Sequence, residues 1–220
     1  MYSDQFGLTG RPFQLTPDPR FYFESATHRK AMAYLGYGLA QGEGFIVVTG
    51  EIGAGKTTLV NALLAEVAGQ EERVVILEDT RELKCAAADC VALRTKPGVA
   101  TLADLVRSTL RLRPDRIIVG EVRGPEALDM LKAWNTGHPG GITTVHANSA
   151  PAGLLRLEQL VQEAVVTVPR DLIVQAIDLV VFIEGRGANR RVETLLEVAS
   201  LDADGDYLLK PLGRPSLHTV

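Results

Sequence analysis

The chain is short of cysteine, of excess positive charge and of long apolar runs, and each shortage removes a class of function. Two cysteines, Cys85 and Cys90, cannot build a disulfide framework, and neither has the neighbours of a zinc site. They read as ordinary thiols of a reducing compartment. Acidic residues outnumber basic ones, 27 against 23, for a net charge of −4. A surface that coats nucleic acid needs the opposite balance, so the chain gives no direct nucleic-acid signal and leaves only a narrow basic pore as a route to DNA. No apolar run reaches bilayer-spanning length, and the first residues lack the apolar core of a secretory signal. The expectation is a cytoplasmic location without a transmembrane segment. No internal repeat is visible, and at 220 residues with 46% hydrophobic content the chain can bury one substantial core.

Against these absences stands one dense motif. Gly50 to Thr57, GEIGAGKT, fits the phosphate-binding P-loop pattern G-x-x-x-x-G-K-[ST] without a mismatch. The run before it, residues 44–49, reads as a short buried strand. After it, Leu59, Leu63, Leu64 and Val67 recur at helical spacing over residues 57–67. The motif therefore falls on a strand-to-helix turn, where backbone N–H groups and the helix N-terminus face an anion. Gly50, Gly53, Ala54, Gly55, Lys56, Thr57 and Thr58 are the candidate phosphate-binding residues. Lys56 supplies a point charge to the outer phosphates, and the Thr57 hydroxyl is placed to hold Mg²⁺. ATP and Mg²⁺ are the cofactors this pattern calls for.

Residues 1–24 are rich in proline and aromatics and predict an irregular strap. A helix is expected from Thr27 to Gln41, with Ala31, Leu35 and Leu39 on one face. Residues 73–77 form a second strand ending in the acidic cluster Glu78, Asp79 and Glu82. At the carboxyl end of a parallel strand, such carboxylates line the ligand crevice and can order metal-bound water or activate an attacking one. The helix expected over 101–113 carries Arg107, Arg111 and Arg113 and stops at Pro114. Strand 116–119 then ends in Gly120-Glu121-Val122-Arg123, a carboxylate at the tip of an apolar strand. That is the Walker B arrangement, in which Glu121 binds Mg²⁺ through water; with Thr57 of the P-loop and Asp79 of the acidic cluster it makes the candidate metal set. A helix opened by Pro125 and a strand over 142–145 follow, with His138 before that strand and His146 after it. With no third nitrogen or sulfur ligand near, a metal between the histidines is not expected. Helices over 153–164 and 169–177, a strand over 179–183, and a return strand over 191–198 complete the pattern. Residues 206–220 carry Asp, Gly and Pro and are expected to be a frayed tail.

Two resemblances follow. The first sixty residues, with MYSDQFGL, TPDPRFYF and YGLAQGEGFIVVTGEIGAGKTT, resemble the start of the AAA-type ATPase of the bacterial general secretion pathway. From about Leu59 to residue 200, RVVILEDTREL, TLRLRPDRIIVGEVRGPEALDMLKAWNTGHPGGITTVHANS and LIVQAIDLVVFI resemble the conjugal-transfer members of the type IV secretion traffic ATPases. The second resemblance implies an acidic box holding Glu78, Asp79 and Glu82, which includes a candidate water-activating glutamate. It also implies a Walker B Glu121, and a histidine box of His138 and His146 that senses the γ-phosphate and the subunit interface. Arg107, Arg111 and Arg123 fall on or beside the family's characteristic arginines, any of which can act on nucleotide in a neighbouring subunit.

The expected fold is an α/β, RecA-like P-loop domain with a mainly parallel central sheet and helices on both faces. Its expected divisions are a strap and helix over 1–43, the ATPase domain over 44–205 and the tail. The expected function is Mg²⁺-dependent ATP hydrolysis by a motor that powers conjugal transfer or type IV secretion. Its expected partners are channel proteins at the inner membrane, where the motor would be cytoplasmic or peripheral, and the parent family implies a homo-hexamer. A general-secretion-type AAA ATPase and a nucleotide-binding fusion remnant with little turnover are the alternatives. Traffic ATPases carry a separate N-terminal domain, whereas here a strap of a different family precedes the P-loop. A gene fusion, a recombination product or an artefact of sequence assembly would each look like this. The chain alone is accordingly expected to bind ATP, remain mostly monomeric and hydrolyse slowly.

Overall fold

A computed structural model describes residues 29, 31–36, 44–138 and 140–212. Eight strands are present among them: β1 (Ile46–Gly50), β2 (Arg73–Glu78), β3 (Asp89–Arg94), β4 (Arg116–Val119), β5 (Ile142–Val145), β6 (Leu179–Glu184), β7 (Arg191–Leu201) and β8 (Tyr207–Pro211). They form one sheet in the order β3-β2-β4-β5-β1-β6-β7-β8. Strands β1 to β6 are parallel, and β7 and β8 add antiparallel.

The apolar strands are continuous runs because both sheet faces are covered. One face carries α1 (Lys56–Val67) and the helical residues 31–36; Leu59, Leu63 and Leu64 pack there with Ala31, Leu35, Ile46, Val48 and Ile118. The other carries α2 (Leu102–Thr109), α3 (Glu126–Trp134), α4 (Ala150–Gln162) and α5 (Arg170–Ala176). Val47, Ile117 and Val119, alternate residues of the same strands, point into that second core. Within it Trp134 stacks on Phe45 at 4.9 Å between ring centroids and donates to the Ile117 carbonyl at 3.0 Å, so its one polar group is satisfied.

Strand β1 lies between β5 and β6, near the middle of the sheet. Parallel sheets bind ligands beyond the carboxyl ends of their strands. Here those ends deliver Gly50 from β1, Glu78 from β2, the segment leading to Glu121 from β4 and His146 from β5.

Several boundaries differ from expectation. Strand β3 was not anticipated: DCVALR alternates side chains between two half-covered faces at the sheet edge, so it lacks the solid apolar run of the inner strands. The helix expected over 101–113 ends at Thr109, because Leu110–Leu112 tighten into a 3₁₀ turn and Arg113 turns left-handed at φ 51°. Helix α4 begins at Ala150, ahead of Gly153, because Ser149 caps it and Pro151 fits its first turn. The tail expectation is corrected over Tyr207–Pro211, which pair with β7 and extend the sheet past residue 205. They pair on one side only and stay half-buried or exposed, as an edge strand allows, with Pro211 at its last position. The strap over 1–24, Leu39, and residues 213–220 lie outside the described residues.

Candidate functional site

The P-loop takes its shape from close contact with β6. A methyl group built on Gly50 would stand 2.5 Å from the Ile183 carbonyl oxygen, so only glycine fits there without moving the strand pair. The loop ends at Gly55 in the left-handed region, and no side chain caps the helix that follows. First-turn amides of an uncapped helix, with no acidic residue among them, make an anion-binding end.

Lys56 is 7% exposed and folds over this loop. Its ammonium donates to the carbonyls of Gly50 at 2.9 Å and Glu51 at 3.1 Å, and meets His146 Nδ1 at 2.8 Å. His146 Nε2 lies 2.6 Å from Glu121 Oε1, and Arg123 donates to Glu121 Oε2 at 2.5 Å. A neutral imidazole accepts from Lys56 at Nδ1, and the close approach of its Nε2 to Glu121 carries the series on to Arg123. Burial pushes the Lys56 ammonium down to about 8, against the upward pull of Glu121; Arg123 lowers it and Glu82 raises it further. Burial also lowers His146, reinforced by the positive Lys56, which favours the neutral ring. The hydrogen bond to Glu121 raises Arg123.

A second group of contacts holds the acidic loop. Thr57 Oγ1 donates to Glu82 Oε2 at 3.1 Å. One helical turn on, Asn61 donates to the Glu82 carbonyl at 3.3 Å and accepts from the Lys84 amide at 2.8 Å. From the other side, buried Glu78 accepts the amides of Glu82 and Leu83 on Oε1, at 2.9 and 2.8 Å. Glu78 thus shapes the loop that carries Glu82, and Glu82 is the carboxylate set against the P-loop threonine. Asp79 accepts from the Thr95 hydroxyl at 2.9 Å. Thr57, Asp79, Glu82 and Glu121 line one narrow crevice of about 40 Å³. All four are oxygen donors, a hard set that fits Mg²⁺ held by one or two protein groups and phosphate oxygens.

Three sequence candidates do not reach this crevice. Arg107 is exposed on α2 and pairs with Asp129 at 3.0 Å and Asp104 at 3.8 Å. Arg111 is exposed in the 3₁₀ turn that follows. His138 precedes β5 whereas His146 follows it, so four residues of strand, about 13 Å, separate them. The histidines flank one strand in sequence and therefore stand at opposite ends of the sheet; any role of His138, Arg107 or Arg111 lies outside this chain's own crevice. Ala54 and Thr58 stay with the loop, Ala54 buried beneath it.

Sequence reasoning missed Asn61 and Arg190. A polar residue buried on the apolar stripe of α1, four positions after the P-loop threonine, was the available signal for Asn61. Arg190 carried no local signal; it reaches Gly55 from the hairpin between β6 and β7.

Comparison with known proteins agrees with this geometry. The family described as "Type II/IV secretion system protein" matches residues 22–186. The conjugal transfer protein TrbB of Rhizobium radiobacter is 54% identical over 155 residues, covering 70% of this chain and 48% of the relative. The type IV secretion system protein PtlH of Bordetella pertussis is 40% identical over 163 residues, covering 67% and 48%. The crystal structure of the VirB11 ATPase from the Brucella suis type IV secretion system, in complex with sulphate, matches with a TM-score of 0.70 at 32% identity. That match covers 89% of this chain and 61% of the other, and makes the fold the RecA-like one expected. The chain spans about half the length of the curated relatives it matches. On the family match across most of its length, the chain belongs to the type II/IV secretion system protein family.

Proposed function

We propose that this chain is the ATP-hydrolysing domain of a motor that drives conjugal transfer or type IV secretion. The observation that supports it best is the convergence on one P-loop of Lys56, joined through His146 to Glu121, and Thr57, joined to Glu82. Fold alone hosts many activities, but this set matches what phosphoryl transfer to water requires.

In that reaction Lys56 binds the β- and γ-phosphates, exchanging its carbonyl and imidazole acceptors for phosphate oxygens. Thr57 and Glu121 would hold Mg²⁺, with Asp79 nearby; the ion would neutralise charge on the phosphate oxygens. Glu82 orients a water for attack on the γ-phosphorus and accepts its proton, while the bond to the β,γ-bridging oxygen breaks. ADP and inorganic phosphate leave. His146 reports between the P-loop lysine and Glu121, and Arg123, 64% exposed, is available to a neighbouring copy.

The names of the relatives, a conjugal transfer protein and a type IV secretion system protein, support a secretion or conjugation setting, in which the proposed arrangement is a ring of like subunits, cytoplasmic or peripheral at the inner membrane. Among the described residues no helix is long and apolar enough to cross a membrane. Phosphate release measured across protein concentration tests the proposal. Expected is slow Mg²⁺-dependent ATP turnover that rises per chain with concentration and disappears in Lys56→Ala. No turnover at any concentration, or equal turnover in Lys56→Ala, refutes it.

A further inference from the structure

One cation beside the P-loop is unused by the reaction above. Arg190 stands in the hairpin between β6 and β7 and reaches back across the loop. A methyl group built on Gly55 would meet its Cδ at 3.2 Å, Nε at 3.5 Å and Nη1 at 3.6 Å. Its Nε is buried without a hydrogen-bond partner. Among the described residues its guanidinium joins no ion pair, although its neighbour Arg191 pairs with both Glu184 and Glu193. Nearby on the same hairpin, Arg186 approaches Glu51 at only 3.7 Å. A buried donor with no acceptor costs stability unless a further group completes it. Gly55 is the uncapped N-terminus of α1, where the phosphate-binding motif places its anion.

Which phosphates it meets follows from strand order. β1 has β5 on one flank and β6 on the other. The groups assigned to the reacting end all come from the β5 flank: His146 follows β5, Glu121 follows β4, and Glu82 follows β2. Arg190 comes from the β6 flank. Building on the ATP-site reading, we propose that Arg190 donates in cis to the α- and β-phosphate oxygens of the bound nucleotide, opposite Lys56. These oxygens belong to ATP and ADP alike, so the contact is equal in ground state and transition state. It sets affinity and leaves kcat unchanged.

The test compares Arg190→Met, which keeps the apolar length over Gly55 and loses the donors, with Arg190→Lys, which keeps the charge. Titration of the full chain with ATP and with ADP should show Arg190→Met weakened about 10- to 100-fold for both, the usual span for a lost charge-assisted contact. KM should rise by the same factor at constant kcat. Arg190→Lys should recover part of the loss, and the thermal midpoint without nucleotide should stay within about 2 °C of the parent in both. Parent-like affinity in Arg190→Met overturns the proposal. So does a loss confined to ATP, which would move the contact to the γ-phosphate, or a loss that Arg190→Lys does not relieve. Lys56→Ala separates this from the underlying reading: if it also binds nucleotide like the parent, the ATP site itself is wrong, whereas a weakened Lys56→Ala beside an unaffected Arg190→Met sinks only the arginine.

Discussion

Replacing Asn61 by alanine should damage both stability and catalysis, although Asn61 lies a full helical turn from the phosphate motif. Its amide makes two hydrogen bonds, to the Glu82 carbonyl at 3.3 Å and from the Lys84 amide at 2.8 Å. The side chain is buried. Each such bond is worth about 1 kcal/mol net, so the pair contributes about 2 kcal/mol. Alanine's higher helix propensity returns roughly 0.5 kcal/mol, leaving a loss of about 1.5 kcal/mol. For a domain of this size that is a fall of roughly 3–6 °C in thermal midpoint. Catalysis should suffer more, because the loop carrying Glu82 loses its backbone ties to α1 and is left with Glu78 and the Thr57 contact to the Glu82 side chain. A displacement of about 1 Å can cost on the order of 100-fold in rate. Calorimetry and phosphate release on one preparation give both numbers, with kcat expected to fall at least about tenfold and ATP affinity to stay near parental. A midpoint within about 1 °C of the parent together with unchanged kcat would refute the idea that Asn61 positions Glu82.

ATP affinity should depend on pH through Lys56, whose ammonium burial holds down to about 8. Phosphate raises that value, so binding takes up a proton; affinity is full below about pH 8 and falls as pH rises through it. Lys56→Ala should be weaker by about one to two decades and flat over the same range, and a parent whose affinity is level from pH 7 to about 9.5 contradicts the assignment. Glu82→Gln and Glu121→Gln should retain nucleotide while turnover drops about 100-fold. Glu78→Gln keeps a carbonyl acceptor for the Glu82 and Leu83 amides and should lose far less; parental turnover in the first two variants, seen by phosphate release, removes the crevice from the mechanism.

What the sequence disclosed was local. GEIGAGKT sits on one turn, the apolar runs of β1, β2, β4 and β6 are contiguous, and Glu121 closely follows a strand, so a window of ten residues is enough to read each. Encounters across long separations were not legible: Lys56 meets His146 at a separation of 90 residues, and nothing near either residue encodes the other. Which glutamate of the acidic cluster faces the backbone is not legible from composition; the two amides on Glu78 Oε1 single it out. Edge strands escaped for a related reason. β3 and β8 each bury little on either face, so their residues alternate weakly and resemble loop.

The hairpin beside Arg190 has one more consequence. β7 begins at Arg191 and runs for 11 residues, about 36 Å, to Leu201. At its far end the turn into β8 is tethered: Arg170 donates to the Gly205 carbonyl at 2.8 Å and grips Glu158 of α4 at 2.9 Å. One end of this strand stands beside the phosphate loop and the other is fastened through Arg170 to α4, so a single strand, paired on both sides, links the nucleotide end of the sheet to its base.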